Sequence, residues 1–359
     1  MNFHIITYGC AANQADSEIM RHVLINRGHN EVDYNNANVV IVNTCGVKGP
    51  TEEKIISKLK RISGKKVIIA GCLSWISFDR LNKLFPNYSI IGPDQVLGIA
   101  DVVESDSRVV AVDRNRRNIL IPTPYSDKLI IPISQGCLGA CTYCATKFAR
   151  GHLYSYKPEW IIKKVKEANG RVIYLTSQDC GAYGKDIGLN IVHLLKEVCK
   201  HAGSSKIRLG MMNPEHLLDI IDDLVDIYHC ENMLKFAHIP VQSGSNKVLK
   251  DMNRKYTVEQ FEFLVSKLRS VPGMVVSTDI IVGYPTETEH DFQLTMDLVR
   301  RVKPDVLNVS KFYPRPGTAA AKLKQLDTKV IKQRSRELSK LYLCLKRAKT
   351  FYSIKTKHF

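Results

Sequence analysis

Three cysteines within eight residues constrain this 359-residue chain more than any other feature. They are Cys137, Cys141 and Cys144 of the sequence Cys-Leu-Gly-Ala-Cys-Thr-Tyr-Cys, which follows an apolar run at residues 129–133. Three thiolates on one tight loop can hold three irons of a 4Fe–4S cluster and leave the fourth iron without a protein ligand. Zinc is the alternative, but it normally takes a fourth Cys or His at short spacing, and the nearest His is His152. The spacing therefore favours a cluster whose open iron takes part in chemistry.

Three further cysteines follow predicted strands near the start of the chain. Cys10, Cys45 and Cys72 come one or two residues after the strand-like runs at residues 3–8, 39–44 and 66–71. Because the carboxyl ends of parallel strands share one edge of a sheet, we expect these three thiols to meet. For a single position, a small buried cysteine that only caps a strand is the better interpretation. Because each of these three predicted strands is followed by a cysteine, the pattern favours a second cluster, again with an open iron.

The alternation of strand-like and helix-like segments predicts an α/β protein with two units. Residues 1–99 are predicted to form an open, mostly parallel sheet that carries the first three cysteines. Residues 100–127 are predicted to be a linker with a weak hairpin, whose basic turn is residues 114–118. Six further strand–helix units at residues 128–320 predict a partial (βα)6 barrel, in which active-site groups lie at the carboxyl ends of the strands. Residues 321–359 are predicted to be a basic helical extension.

Composition limits the compartment and the partners. Hydrophobic residues make up 44% and charged residues 24% of the chain, and no apolar run is as long as a membrane span. Ten cysteines in such a chain indicate metal or redox use rather than disulfides. We therefore expect a cytoplasmic protein without a membrane partner.

Positive charge is concentrated at the C-terminal end. The net charge is +17, and residues 322–359 hold 12 Lys or Arg against Asp327 and Glu337. A localised basic excess is typical of surfaces that bind a polyanion such as nucleic acid, although short basic runs are often only solvated helix faces. Ile331, Leu338, Leu341 and Leu345 recur on one face of the predicted helix at residues 329–349, which leaves the basic side chains for the other face.

The Cys137 loop, with Gln135 and Gly136 before it and Tyr143 before its last cysteine, resembles the cluster loop of the radical S-adenosylmethionine enzymes. In that superfamily the open iron binds S-adenosylmethionine, and one electron cleaves this cofactor to a 5′-deoxyadenosyl radical. From Met1 to about Lys349 the chain resembles the tRNA and protein methylthiotransferases, which insert sulfur and a methyl group at an unactivated C–H bond. The segments that carry this resemblance are residues 7–18, 144–151, 238–245, 279–289 and 312–318.

Within that family, residues 175–188 and 208–214 resemble the archaeal and eukaryotic enzymes that act on N6-threonylcarbamoyladenosine next to the tRNA anticodon. The resemblance implies two 4Fe–4S clusters, S-adenosylmethionine as methyl donor and radical source, an electron donor, and tRNA rather than DNA as the nucleic-acid partner. It also implies sulfur insertion at C2 of the adenine. Family members normally continue into a small RNA-binding TRAM domain, which is not found before Phe359. We therefore expect the basic helix to contribute RNA contacts.

Candidates for S-adenosylmethionine contacts follow the predicted barrel strands, where such sites are expected. Gln178 and Asp179 are predicted to bind the amino end of the cofactor, and Gly283 and Tyr284 to let the adenine pack close to the backbone. Lys147 and Arg150 are predicted to face an anionic substrate or cluster. The alternative for each polar candidate is a loop group that satisfies nearby backbone, and no side chain is assigned to acid–base catalysis. The complete set of cofactor candidates is Gln178, Asp179, Arg208, Asn213, Gln242, Ser243, Gly283 and Tyr284.

Two other functions remain open at this point. A methylthiotransferase that modifies a ribosomal protein would use the same chemistry, but the basic C-terminal end and residues 176–188 favour tRNA. A non-catalytic iron–sulfur protein that binds RNA or senses redox state is the third hypothesis. The presence of both complete cysteine trios and of the barrel loops argues against it.

Overall fold

The computed structural model describes residues 1–46, 49–113 and 128–355. The predicted basic turn at residues 114–118 lies outside these ranges. The chain forms two α/β units, as the alternation of elements predicts.

The first unit is built on one six-stranded parallel sheet with the order β2-β1-β3-β4-β5-β6. Strand β3 is buried along its full length, as expected for a central strand covered by helices on both faces. The sheet extends past residue 99 because β6 pairs with β5, so residues 110–111 of the predicted linker belong to it. The strands are β1 (Asn2–Thr7), β2 (Asn30–Glu31), β3 (Val39–Thr44), β4 (Lys66–Gly71), β5 (Ser89–Ile91) and β6 (Val110–Ala111).

Helices cover the two faces of this sheet and form a separate core on each. Phe3, Ile41 and Ile68 point into one core, and Val40, Val42 and Ile69 into the other. This alternation follows from the two-residue period of a strand. The helices are α1 (Ala11–Asn26), α2 (Gly49–Leu59), α3 (Leu73–Ile76), α4 (Phe78–Leu84) and α5 (Ile99–Glu104).

The second unit is an open barrel of six parallel strands. One sheet has the order β7-β10-β11 and the other β12-β13-β14. A parallel bridge between Ile207 and Met233 connects them, which gives the predicted partial (βα)6 arrangement. Strand β8 precedes the second cysteine loop and strand β9 follows it, and the two form a short antiparallel pair. The strands are β7 (Lys128–Pro132), β8 (Ser134–Gln135), β9 (Tyr154–Ser155), β10 (Val172–Thr176), β11 (Ile207–Leu209), β12 (Phe236–His238), β13 (Val275–Val282) and β14 (Val306–Lys311).

The barrel helices pack their apolar faces on the strands and form the largest core of the molecule. Residues 214–216 form a 3-10 turn, and the helix that follows it starts at Ile221. The helices are α6 (Thr146–Arg150), α7 (Pro158–Lys166), α8 (Ile191–His201), α9 (Ile221–Tyr228), α10 (Asn246–Asp251), α11 (Val258–Arg269) and α12 (Glu289–Val302).

The last helix, α13 (Thr328–Lys355), lies against the barrel. Ile331 and Leu338 are buried, and Leu341 and Leu345 pack at the edge of the barrel core, as the apolar spacing predicts. Arg334, on the same side, pairs with Glu287 at 2.7 Å. Among the described residues, no helix is long and apolar enough to cross a membrane.

Candidate active site

The first cysteine trio gathers at the carboxyl edge of the first sheet. Cys10 precedes α1, Cys45 follows β3, and Cys72 lies between β4 and α3. A Cβ atom placed on Gly9 would lie 2.9 Å from Cβ of Cys45, and one placed on Gly46 would lie 3.5 Å from Cβ of Cys72. The structure therefore brings the three strand ends together, as predicted from the shared edge of parallel strands.

Two buried asparagines fix the strand ends beneath this trio. Asn13 donates from Nδ2 to the carbonyl of Thr44 at 2.8 Å, and Asn43 donates from Nδ2 to the carbonyl of Asn13 at 2.8 Å. Both side chains are 1% exposed or less. These reciprocal bonds hold the start of α1 against the end of β3, so the positions of Cys10 and Cys45 are coupled.

The second trio lies on the loop between β8 and α6, and its first turn requires a glycine. Gly136 has a φ of +82°, and a Cβ there would lie 2.0 Å from the carbonyl oxygen of His152. Its amide donates to Oε1 of Gln178 at 2.7 Å, and the next amide, that of Cys137, donates to the carbonyl of Gly151 at 3.2 Å. Gln178 therefore positions the cysteine loop.

The far side of the same loop is tied to the barrel. The amide of Thr142 donates to the carbonyl of Met252 at 3.1 Å. The hydroxyl of Thr142 lies 2.8 Å from that of Tyr284, which also donates to the carbonyl of Asp251 at 3.0 Å. Tyr284 therefore anchors the cysteine loop through its hydroxyl.

Each trio has a buried arginine beside one of its sulfurs. Arg150 is 5% exposed; its Nε donates to Sγ of Cys72 at 3.2 Å, and its Nη2 donates to Asp16 at 2.6 Å. Arg254 is 9% exposed; its Nη1 donates to Sγ of Cys141 at 3.2 Å, and its Nη2 donates to Oδ1 of Asn213. A guanidinium next to thiolates stabilises their negative charge. Arg150 thus contacts the first trio, and the prediction that it faces an anionic substrate or cluster stays a prediction.

Burial dominates the acidity of the cysteines. It raises the pKa of Cys72 to about 11, although the Arg150 guanidinium opposes the rise. Burial, followed by the charge of Asp179, raises the pKa of Cys137 to about 12, and burial also raises the pKa of Cys144. Metal ligation by these thiols therefore requires release of their protons.

The donor set of both sites fits an iron–sulfur cluster. Each site offers three thiols from separate backbone positions, and one thiolate binds each of three irons of a cubane. Across the described ranges, no group of three or more His, Cys, Asp or Glu side chains is arranged to hold one metal ion.

The cofactor candidates on the barrel loops fall into two groups. Asp179 is 1% exposed and accepts the amides of Gly181 and Asn213 through Oδ1, each at 3.0 Å. Burial raises the pKa of this carboxyl; its other oxygen, Oδ2, makes no hydrogen bond among the described residues and lies 3.5 Å from Nε2 of His216. Ser243 is fully buried and accepts the amide of Ser245 at 3.2 Å. Gly283 lies against Ile331 of α13, where a Cβ would come within 2.6 Å. Ser243 and Gly283, with Gln178 and Tyr284, therefore shape the loops, and Asp179 does so through Oδ1 alone.

The other candidates present their functional groups to the barrel interior or to a cavity. The guanidinium of Arg208 lies 5.2 Å from the ring centre of Tyr174 and 4.2 Å from that of Phe236. Gln242 has a φ of +71°, and its Oε1 has no hydrogen-bond partner in the described part of the chain. Asn213 contacts Arg254 and through it the second trio.

A cavity of about 560 Å³ lies beside the second cysteine trio and reaches the end of β3 in the first unit. Gly46, next to Cys45, lines it on one side, and Cys144 lines it on another. The carboxyl ends of β12, β13 and β14 complete the wall with His238, Asp279 and Lys311. A volume of this size fits a nucleoside, since ligand pockets typically span about 300–1,000 Å³. Cys144 of the second trio and the residue next to Cys45 of the first trio therefore border one substrate-sized space.

Several site residues were not predicted from the sequence. Arg254, Asp16 and Arg315 all form buried polar contacts at the site. Asp16 and Arg315 lie inside the segments 13–18 and 312–318 that carry the family resemblance, which is the signal that could have identified them. Arg254 has no comparable local signal.

Comparisons with known proteins agree with this geometry. The radical SAM superfamily model matches residues 131–299, and the model of uncharacterized protein family UPF0004 matches residues 2–92. A probable threonylcarbamoyladenosine tRNA methylthiotransferase of Pyrococcus abyssi is 44% identical over 96% of this chain and 84% of its own length. The threonylcarbamoyladenosine tRNA methylthiotransferase of Homo sapiens is 38% identical over 94% of this chain and 62% of its own length.

Among solved structures, the radical S-adenosylmethionine methyltransferase TsrM of Kitasatospora setae has a TM-score of 0.64. It is 13% identical, and the match covers 89% of this chain and 76% of that one, so this likeness concerns the fold. Fold and site together define a radical S-adenosylmethionine enzyme, with 4Fe–4S clusters and S-adenosylmethionine as its cofactors. Within that class, the chain belongs to the threonylcarbamoyladenosine tRNA methylthiotransferase family.

Proposed function

We propose that the protein converts N6-threonylcarbamoyladenosine next to the tRNA anticodon to its 2-methylthio derivative, replacing hydrogen at adenine C2 with a methylthio group. The observation that carries this proposal is the cavity lined by Cys144 of the second trio and by Gly46, which follows Cys45 of the first trio. Sulfur insertion at a C–H bond needs a radical source and a sulfur site close to the same carbon. The names of the relatives supply the substrate.

The six cysteines hold the two clusters in this proposal. When bound, the cluster at Cys137, Cys141 and Cys144 supplies the electron that cleaves S-adenosylmethionine, and the cluster at the other trio holds the sulfur to be transferred. Arg254 and Arg150 stabilise the thiolate charge at Cys141 and Cys72. The other trio is Cys10, Cys45 and Cys72.

S-adenosylmethionine contacts are assigned to the groups left open at the barrel strand ends. Oδ2 of Asp179 and Oε1 of Gln242 have no hydrogen-bond partner among the described residues, so they can accept from the cofactor. Arg208 and Asn213 lie on neighbouring loops or strands. The remaining candidates hold the loops in place; they are Gln178, Ser243, Gly283 and Tyr284. We further propose that the protein acts in the cytoplasm and takes electrons from a separate donor.

Separating the two cluster roles tests the proposal. Anaerobic reconstitution should give about eight irons per chain, four for each cluster. Cys141→Ala should lose about half the iron and all cleavage of S-adenosylmethionine. Cys45→Ala should also lose about half the iron, but should cleave S-adenosylmethionine without forming methylthio product from an anticodon stem-loop. Cys344→Ser, an exposed cysteine on α13, should match the wild type. Methylthio product from Cys45→Ala would refute the assigned sulfur role.

A further inference from the structure

Arg315 is a buried cation on the wall of the cavity. It follows β14 in the segment Tyr313-Pro314-Arg315-Pro316-Gly317 and is 3% exposed. Its Nη1 donates to Oε2 of Glu52, on α2 of the first unit, at 2.7 Å. This contact spans 263 residues of sequence and fixes the guanidinium from one side.

The opposite edge of this guanidinium, formed by Nε and Nη2, is buried and lacks a hydrogen-bond partner among the described residues. These two nitrogens carry parallel N–H groups, the pair with which arginine binds a carboxylate in bidentate geometry. Buried donors without partners are unfavourable, because they have lost their hydrogen bonds to water without a replacement. The arrangement therefore favours a planar anionic ligand that completes the pairing.

The surroundings of Arg315 do not supply that anion. Among the cavity-lining residues that the structure describes, Asp279 is the acidic one, and it already contacts His238 at 3.1 Å and accepts from Asn308 at 2.7 Å. Lys311, the last residue of β14, lines the same cavity and adds a second cation. Arg315 and Lys311 make this side of the cavity suited to a carboxylate.

We infer that Arg315 recognises the free carboxylate of the threonyl group through Nε and Nη2, and so selects threonylcarbamoylated adenosine over adenosine that lacks this acid. The inference rests on the proposed function. In threonylcarbamoyladenosine, the threonine is joined to the base through its amine, which leaves its carboxylate as an anion. Arg315, Cys144 and Gly46 all line this cavity. The contact between Arg315 and the carboxylate therefore also orients the base relative to the two trios.

Two anticodon stem-loops that differ in one group test the inference. One carries N6-threonylcarbamoyladenosine, and the other carries its methylamide, in which the carboxylate is replaced by a neutral group. Binding is measured anaerobically by fluorescence anisotropy on the reconstituted protein, and methylthio product by mass spectrometry. The wild type should bind the acid about 10- to 100-fold more tightly than the amide, the range expected for charge-assisted hydrogen bonds. Arg315→Gln should reduce this ratio to about 1–3.

Arg80→Gln is the matched control. Arg80 also donates to Glu52, at 3.1 Å, but it is 44% exposed and is not among the cavity-lining residues. This variant should keep the wild-type preference for the acid. If Arg315→Gln loses iron or fails to fold, Arg315→Lys is tested in its place, since lysine keeps the positive charge but lacks the paired donors. We expect its preference for the acid to fall at least about fivefold, since an ammonium group cannot bind the carboxylate in the same bidentate geometry.

The outcomes separate this inference from the proposed function. If the wild type forms methylthio product but binds acid and amide equally, the inference is overturned and the proposed function stands. An unchanged preference in an iron-replete Arg315→Gln or Arg315→Lys protein also overturns it. If the wild type with both clusters forms no methylthio product from either RNA, the proposed function fails, whatever the binding preference.

Discussion

At the scale of single residues, the arginine that follows the second cysteine trio in sequence contacts a cysteine of the first trio. Arg150 comes from the barrel loop that follows the second trio, but its side chain reaches Cys72 of the first trio and pairs with Asp16. Both members of the Arg150–Asp16 pair are at most 3% exposed as side chains. A buried charge pair of this kind is costly to break, because the remaining partner stays buried without compensation.

Arg150→Met should therefore destabilise the protein and weaken the first cluster. We expect the free energy of unfolding to fall by roughly 3–5 kcal/mol, since the buried carboxylate of Asp16 loses the guanidinium of Arg150. Iron at the Cys10, Cys45 and Cys72 site should be lost first, because the guanidinium beside Cys72 is removed. Denaturant unfolding and iron analysis measure the two effects. Arg300→Met, which breaks an exposed pair with Asp297, is the control and should change stability by less than about 1 kcal/mol.

Helices and strands could be predicted from the sequence where they contain a long run or a regular repeat of apolar residues. Strand β3 and strand β4 have their predicted bounds, because a buried strand between two helices is a continuous apolar run. Strand β6 was assigned to the linker because two residues with little burial give no periodic signal. The contacts of the site were harder to predict: Arg150 and Asp16 are 134 residues apart, and only the folded chain brings them together.

Helix α12 shows how a cap links neighbouring loops. Thr288 and Asp291 form a reciprocal capping box, and Asp291 also accepts from Ser245 at 2.7 Å and from Lys247 at 3.1 Å. Burial alone would raise the pKa of Asp291, but these hydrogen bonds hold it well below the usual value. Because the folded-state pKa is lowered, the ionised carboxylate stabilises the fold above the unfolded pKa. This contribution diminishes as pH falls through the folded pKa.

Asp291→Asn should lower the free energy of unfolding by about 1–3 kcal/mol near neutral pH, because charged hydrogen bonds are removed. The difference from the wild type should remain down to about pH 4, the ordinary aspartate range, and shrink only at lower pH. Denaturant unfolding as a function of pH measures this. Asp297→Asn changes an exposed residue of the same helix and should stay within about 1 kcal/mol at every pH. A difference that grows on acidification would contradict the assigned sign.

Helix α13 has an apolar side that packs on the barrel and a basic side that faces solvent. Charge reversal at Lys332, Arg336, Lys340 and Arg347, all exposed, should weaken tRNA binding and flatten its salt dependence, by up to about 0.9 in slope for each phosphate that is no longer neutralised. Cleavage of S-adenosylmethionine without RNA should not change, because the barrel-facing Ile331 and Leu338 are retained. The matched control neutralises the exposed Lys200 on α8 instead. Unchanged tRNA affinity and salt slope would show that α13 serves packing alone.

At the scale of the whole molecule, polar contacts join the two units around the cavity. Arg150 pairs with Asp16, Arg315 with Glu52, and Gln135 donates to Asp94. These contacts hold the unit with the first cysteine trio against the barrel that carries the second. The proposed chemistry depends on this arrangement, because a radical formed at one trio and sulfur held at the other must meet at the same carbon.

The most direct measurement is mass spectrometry of tRNA nucleosides from a host that makes N6-threonylcarbamoyladenosine but not its 2-methylthio derivative. Expression of the wild-type protein should produce the 2-methylthio nucleoside, whereas Cys45→Ala and Cys141→Ala should leave only its precursor. Absence of the methylthio nucleoside, from wild-type protein that is folded and contains about eight irons, would contradict the proposed function.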